Sequence, residues 1–111
     1  MLQLPKTIAR YFEATNAHNV VQMAACFAKD AVVHDVGENL DIKGIVAIQK
    51  WIEKITKEYK LQAKPLKISV KGEDIEVVTE VSGSFDGSPL QFCYEFKLKN
   101  DMIIFLSTKP R

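Results

Sequence analysis

Few side chains in this sequence carry chemistry beyond packing, and their spacing narrows what they can do. Asp35 directly follows His34. In an extended segment from Ala31 to Val36, Val33 and Asp35 point to one face while Val32, His34 and Val36 point to the other, so acid and imidazole cannot work on one substrate atom. His18 falls at a helix end, where a cation interacts well with the dipole. Two histidines on separate elements and two distant cysteines, Cys26 and Cys93, hold no ligand set with metal spacing, so no metal is expected. No Ser or Cys sits in a nucleophile elbow. Gly37, Gly44, Gly72, Gly83 and Gly87 are isolated turn or bulge glycines, not a phosphate-cradling loop. There remain Asp35, Tyr11 on a helix stripe, and Tyr94 between Phe92 and Phe96. A phenol here can donate a hydrogen bond, or pack as core with its hydroxyl satisfied by a neighbour. Asp35 reads either as a solvated strand-end carboxylate or, facing an apolar interior, as a group costly to bury without a role.

Periodicity defines the elements that must position these groups. Pro5 opens a helix running to about His18, with Ile8, Tyr11, Phe12 and Thr15 on its buried stripe. Asn19 caps a short second helix with Gln22 at the capping-box position and Val20, Val21, Ala24 and Phe27 as its apolar face; the pattern predicts a stop near Lys29 and Asp30. Ala31 to Val36 is a strand and Gly37 to Gly44 a polar loop. Ile45, Ile48, Ile52, Ile55 and Tyr59 then form the stripe of a third helix, beside which Trp51 either lines a pocket mouth or packs on a sheet. Its other face, with Lys50, Glu53, Lys54, Lys57 and Glu58, is solvated.

From Gln62 the period becomes two. Leu66, Ile68 and Val70 alternate with lysines; Ile75, Val77, Thr79, Val81, Gly83 and Phe85 share a face of the next strand; Asp86-Gly87 signals a hairpin. Leu90, Phe92, Tyr94, Phe96 and Leu98 share a face of the return strand. Asn100-Asp101 turns the chain into Met102 to Leu106, whose unbroken apolar character predicts cover on both sides, one by the core and the other by a partner subunit. Three helices interrupted by one strand and followed by a four-strand meander make an α+β pattern.

The chain has 111 residues, 47% of them hydrophobic and 26% charged, a balance that predicts one compact domain over residues 1–111. Fifteen Lys and Arg against fourteen Asp and Glu leave a formal charge of +1, which exerts no general pull on nucleic acid or anionic membrane. No stretch approaches the roughly 20 apolar residues of a membrane span. Met1 to Leu4 followed by Pro5 does not read as a secretory signal. Cys26 and Cys93 sit in apolar runs as reduced thiols, and a cytoplasmic location is expected. An internal pocket in so small a domain favours extra burial by dimerisation.

Three stretches carry a family resemblance: Arg10-Tyr11-Phe12 followed by Asn16-Ala17, then Cys26-Phe27-Ala28-Lys29-Asp30-Ala31-Val32, then Lys43-Gly44-Ile45-Val46-Ala47-Ile48. With the element order, they resemble the nuclear transport factor 2-like superfamily, which includes SnoaL-like and ketosteroid isomerase-like proteins. The resemblance implies a cone-shaped half-barrel of curved antiparallel sheet (cystatin-like, SnoaL-like) wrapped on three N-terminal helices, an apolar pocket at one end, and homodimers through the outer sheet face. In the ketosteroid isomerases a first-helix Tyr donates to an oxyanion and a strand-end Asp is the general base. Tyr11 and Asp35 match those positions, and Tyr94 falls about where a protonated Asp would complete the site.

The resemblance thus implies a hydrophobic small-molecule ligand bound without a cofactor in a pocket involving Phe27, Val33, Trp51, Ile55, Phe92 and Phe96. An isomerase or cyclase that removes a proton next to a carbonyl is one outcome; a non-catalytic ligand-binding or dimerisation module is the other. An epoxide hydrolase site, with an Arg between two Asp residues, is disfavoured because Arg10 and Arg111 are the only arginines. A dehydratase would need a histidine pair that the inward positions lack.

Overall fold

Apolar residues at helical spacing form α1 (Lys6–Asn16), which buries Ile8, Tyr11, Phe12 and Thr15 on one face. The computed structural model describes residues 2–111. The Asn19 side chain accepts the Gln22 N–H at 3.1 Å and starts α2 (Val20–Ala25). This helix is shorter than its apolar spacing predicts, because the backbone beyond it is captured by a strand. The Ile103 N–H donates to the Cys26 carbonyl at 2.9 Å and Phe27 pairs with Ile103, so residues 27–30 open β1 (Phe27–Asp35). Tertiary pairing overrides local preference here.

The segment predicted as polar loop contains a short strand, β2 (Leu40–Lys43), paired antiparallel with β1 from Val32↔Lys43 to Asp35↔Leu40. Asn39 closes the hairpin at φ 55°, a conformation its short polar side chain tolerates, and Ile42 supplies the one buried side chain. Four residues with one inward apolar group are too few for alternation to register. The third helix, α3 (Ile45–Tyr59), buries Ile48, Ile52 and Ile55 of the predicted stripe and also Trp51, while Ile45 and Tyr59 at its ends are half-buried.

The meander follows as β3 (Gln62–Lys71), β4 (Asp74–Ser82), β5 (Leu90–Lys99) and β6 (Met102–Pro110). The sheet runs β2-β1-β6-β5-β4-β3, and every pair is antiparallel except β1–β6. The sheet is therefore mixed, where antiparallel pairing alone was expected. The long passage through β2, α3 and three strands provides the crossover that a parallel pair requires. On the concave side α1 and α3 pack against Val77, Phe96, Ile103 and Leu106 in one core.

Two further differences have local causes. The last strand runs on to Pro110, and Ile103 and Leu106 are both fully buried although three residues apart. Lys97 pairs with Phe105 and Leu98 with Ile103, which leaves Ile104 as an extra residue. The bulge shifts the alternation, so Ile104 and Phe105 are half-exposed, and the Lys97 ammonium stands 5.8 Å from the Phe105 ring centre. Meanwhile β4 stops at Ser82, placing Gly83 and Phe85 in a loop that also holds Asp86-Gly87. The stop coincides with a close approach to the end of α3: the Ser84 N–H donates to the Tyr59 carbonyl at 2.7 Å, and a Cβ on Gly83 would lie 2.4 Å from that carbonyl oxygen. Gly83→Ala is therefore expected to destabilise the protein by about 1–3 kcal/mol, as overpacking does. Chemical denaturation measures it, and a midpoint equal to wild type would refute the close approach.

Candidate functional site

The concave side is not filled. A mostly apolar cavity of about 200 Å³ opens between α1, α3, the end of β1, and strands β4 to β6. Asp35 reaches it as the last residue of β1, on the inward face shared with Ala31 and Val33. Both carboxylate oxygens are held. Oδ1 accepts the Glu38 backbone N–H at 3.2 Å, and Oδ2 accepts the Trp51 indole N–H at 3.1 Å. The first bond turns the chain out of the strand. The second ties the strand to α3, and Trp51 is only 7% exposed, so an indole N–H without that acceptor would be left costly and unpaired.

Tyr11 and Tyr94 reach the same cavity from α1 and β5. They are 2% and 6% exposed and stand in a cage of rings. Tyr11 meets Phe27 edge-on at 5.5 Å between centroids and Phe96 at 6.1 Å, while Tyr94 meets Phe12 at 5.3 Å. Burial pushes both phenols well above their ordinary range. Tyr94 and then Cys26 and Asp35 add to the shift at Tyr11, against a smaller opposing pull from Thr15, and Asp35 adds to the shift at Tyr94. Both therefore remain protonated donors. No protein group among the described residues accepts from the Tyr94 hydroxyl, and it is not one of the fully enclosed unpaired atoms; it opens onto the cavity.

Of the pocket residues expected from sequence, Trp51, Ile55 and Phe92 line the cavity together with Asp35, Tyr11 and Tyr94. Phe27, Val33 and Phe96 do not; they are buried one layer behind, where Phe27 and Phe96 brace the Tyr11 ring. His34 faces away from the cavity and pairs with Asp41 across β1–β2 at 2.6 Å. Sequence reading missed Glu38, Tyr59 and Phe85, all at the mouth. The Tyr59 hydroxyl donates to Glu38 Oε1 at 2.8 Å, and its ring meets Phe85 edge-on at 6.3 Å. The available signals were the three-residue step from Asp35 to Glu38, which suits a side-chain-capped turn, and the position of Tyr59 four residues beyond Ile55 on the same stripe.

Residues 8–105, nearly the whole of this frame, match the SnoaL-like domain. The chain belongs to the SnoaL-like family. A candidate polyketide cyclase of known structure from Sinorhizobium meliloti is 35% identical to this SnoaL-like chain, with a TM-score of 0.88 over 96% of this chain and 95% of that one. A hypothetical protein with a ketosteroid isomerase-like fold from Catenulispora acidiphila, in complex with trimethylamine, is 14% identical with a TM-score of 0.85, covering 96% and 86%. A candidate ketosteroid isomerase from Kribbella flavida is 12% identical with a TM-score of 0.81, covering 96% and 76%. The last two likenesses are of fold. No curated protein matches the chain.

The three tyrosines of this SnoaL-like domain make its alkaline behaviour predictable. The hydrogen bond to Glu38, with burial and the Glu38 charge, pushes Tyr59 from 10.0 up to about 12, and Tyr11 and Tyr94 are raised too. The unfolded chain releases these protons near pH 10 and the folded chain only above it, so their contribution to stability is complete below pH 10 and is lost as pH rises through the folded values. Ultraviolet titration is expected to show no tyrosinate step at pH 10, with ionisation beginning near 12. A full step at 10 would contradict the burial of the two inner phenols.

Proposed function

We propose that this protein is an isomerase or cyclase that removes a proton from the carbon next to a carbonyl of a small hydrophobic compound. The reading is carried by one observation: a carboxylate and two buried phenols open onto a single mostly apolar cavity. Asp35 takes the proton, the C–H electron pair becomes the enolate double bond, and the carbonyl oxygen gains charge opposite Tyr11 and Tyr94. Each Asp35 oxygen already accepts one hydrogen bond, and the remaining lone pairs receive the substrate proton. A well-aimed donor is worth about 3 kcal/mol in such sites and a positioned base about 10²- to 10⁴-fold.

The fate of the enolate separates the two activities. Return of the proton to a more distant carbon moves a double bond, whereas attack of the enolate carbon on a second carbonyl of the same molecule closes a ring and the new alkoxide takes the proton back from Asp35. The 35% identity to the candidate polyketide cyclase favours ring closure; the first step is the same. Drug-sized ligands occupy roughly 300–1,000 Å³, so a cavity of about 200 Å³ suits one or two rings rather than a steroid skeleton. The shift of a small β,γ-unsaturated ketone to its conjugated isomer, followed by absorbance, tests the proton step. Asp35→Asn is expected to lower kcat by 10²-fold or more and Tyr11→Phe by about 10²-fold, and Asp35→Asn also to lose stability, because its amide replaces only one of the two acceptors. Equal rates in all three proteins would end the proposal. Tight ligand binding without turnover would favour a binding module.

We infer further that the protein is a homodimer joined through the outer sheet face. Ile104 and Phe105 are half-exposed there beside Val32, a patch suited to a second copy. Ile104→Asp is expected to leave the fold intact and convert the dimer to monomer in light scattering, and a wild-type monomer at micromolar concentration would contradict it. Ile103 is unsuited to this test because it is fully buried. A cytoplasmic location fits the two free cysteines.

A further inference from the structure

The cavity has two chemically different ends. At the deep end, the nine-tenths-buried Tyr94 presents a hydroxyl with no protein acceptor among the described residues, beside Tyr11. Two donors there demand an acceptor oxygen from the ligand. At the mouth the demand is reversed. Asp35 and Glu38 both line the cavity, and among the described residues no lysine, arginine or histidine does. Glu38 uses Oε1 to accept from Tyr59 and leaves Oε2 without a protein donor among the described residues. Next to it the Tyr59 and Phe85 rings, which meet each other edge-on at 89°, both line the cavity.

Glu38 is exposed at the rim, and a carboxylate oxygen beside aromatic rings, at the opening of a mostly apolar hollow whose lining holds no cation among the described residues, attracts an organic cation through charge and ring quadrupole together. The same two carboxylates repel an anionic ligand. We propose that the ligand is an amino ketone of one or two rings. Its ammonium group sits at the mouth between Glu38, Tyr59 and Phe85, and its carbonyl oxygen lies at Tyr11 and Tyr94. Glu38 is then the residue that selects the ligand by charge, while the proton is moved at Asp35. This assignment rests on the carbonyl-site reading above, but its charge preference is separately measurable.

Three para-substituted acetophenones of similar size make the test: trimethylammonio, tert-butyl and carboxylate. The first two share one shape and differ in charge. Calorimetry on the full chain is expected to show the ammonium compound binding about tenfold tighter than its tert-butyl isostere, with the carboxylate weakest. In Glu38→Gln, which retains the acceptor for Tyr59, the advantage is expected to fall to about twofold and the salt dependence to weaken to what the Asp35 charge alone supplies. Equal binding of the ammonium and tert-butyl compounds, or an advantage that persists in Glu38→Gln, overturns the proposal while leaving the carbonyl chemistry intact if enones are turned over. An ammonium preference with no enone turnover upholds the proposal and removes the chemistry. Failure of all three compounds to bind at millimolar concentration overturns both.

Discussion

The Asp35 carboxylate, gripped between the Trp51 indole N–H and the Glu38 backbone N–H, ties the end of the first strand to the third helix and to the turn that follows. One oxygen holds the third helix, the other shapes the turn leaving the first strand, and the carboxylate lines the hollow. A carboxylate at the edge of an apolar interior is costly unless hydrogen-bonded, and these two donors offset that cost. Its charge in turn acts on the two inner phenols and helps keep their protons in place. Carboxylate and phenols are thus coupled through the cavity they share.

A chain of 111 residues has little core to spare, and a hollow forfeits contacts that a solid interior would make. The rings behind the lining answer this constraint. Phe12, Phe27 and Phe96 surround Tyr11 and Tyr94 at centroid distances of 5.3–6.1 Å, forming a stiff wall that holds the phenols in position without using their hydroxyls. Position comes mainly from ring packing, which leaves the Tyr94 hydroxyl without a protein partner among the described residues. That division of labour explains why residues such as Phe27 and Phe96 matter to the site without touching its contents.

Much of this was legible in the sequence. The stripe of Ile48, Ile52 and Ile55, the alternation through Tyr94 and the inward direction of Asp35 follow from periods of 3.6 and 2 applied to single elements. What escaped depends on contacts between elements. The second helix yields to a strand because β6 captures Cys26 and Phe27, β2 exists because β1 offers it an edge, and the bulge at Ile104 arises from pairing with β5. The Trp51–Asp35 bond joins residues sixteen positions apart, and Glu38 enters the site through a turn that no hydrophobic pattern encodes. Local rules placed Asp35, Tyr11 and Tyr94 on their elements, while the mouth of the cavity depends on how those elements meet.

The central claim is that both phenols and Asp35 address one ligand atom and its neighbour. A crystal structure with 2-naphthol, whose ring-bound oxygen imitates an enolate, tests it most directly. The account predicts the naphthol oxygen within hydrogen-bond distance of the Tyr11 and Tyr94 hydroxyls and a ring carbon against the Asp35 carboxylate. Naphthol bound elsewhere on the protein, or a cavity holding only ordered water at saturating naphthol, would contradict it.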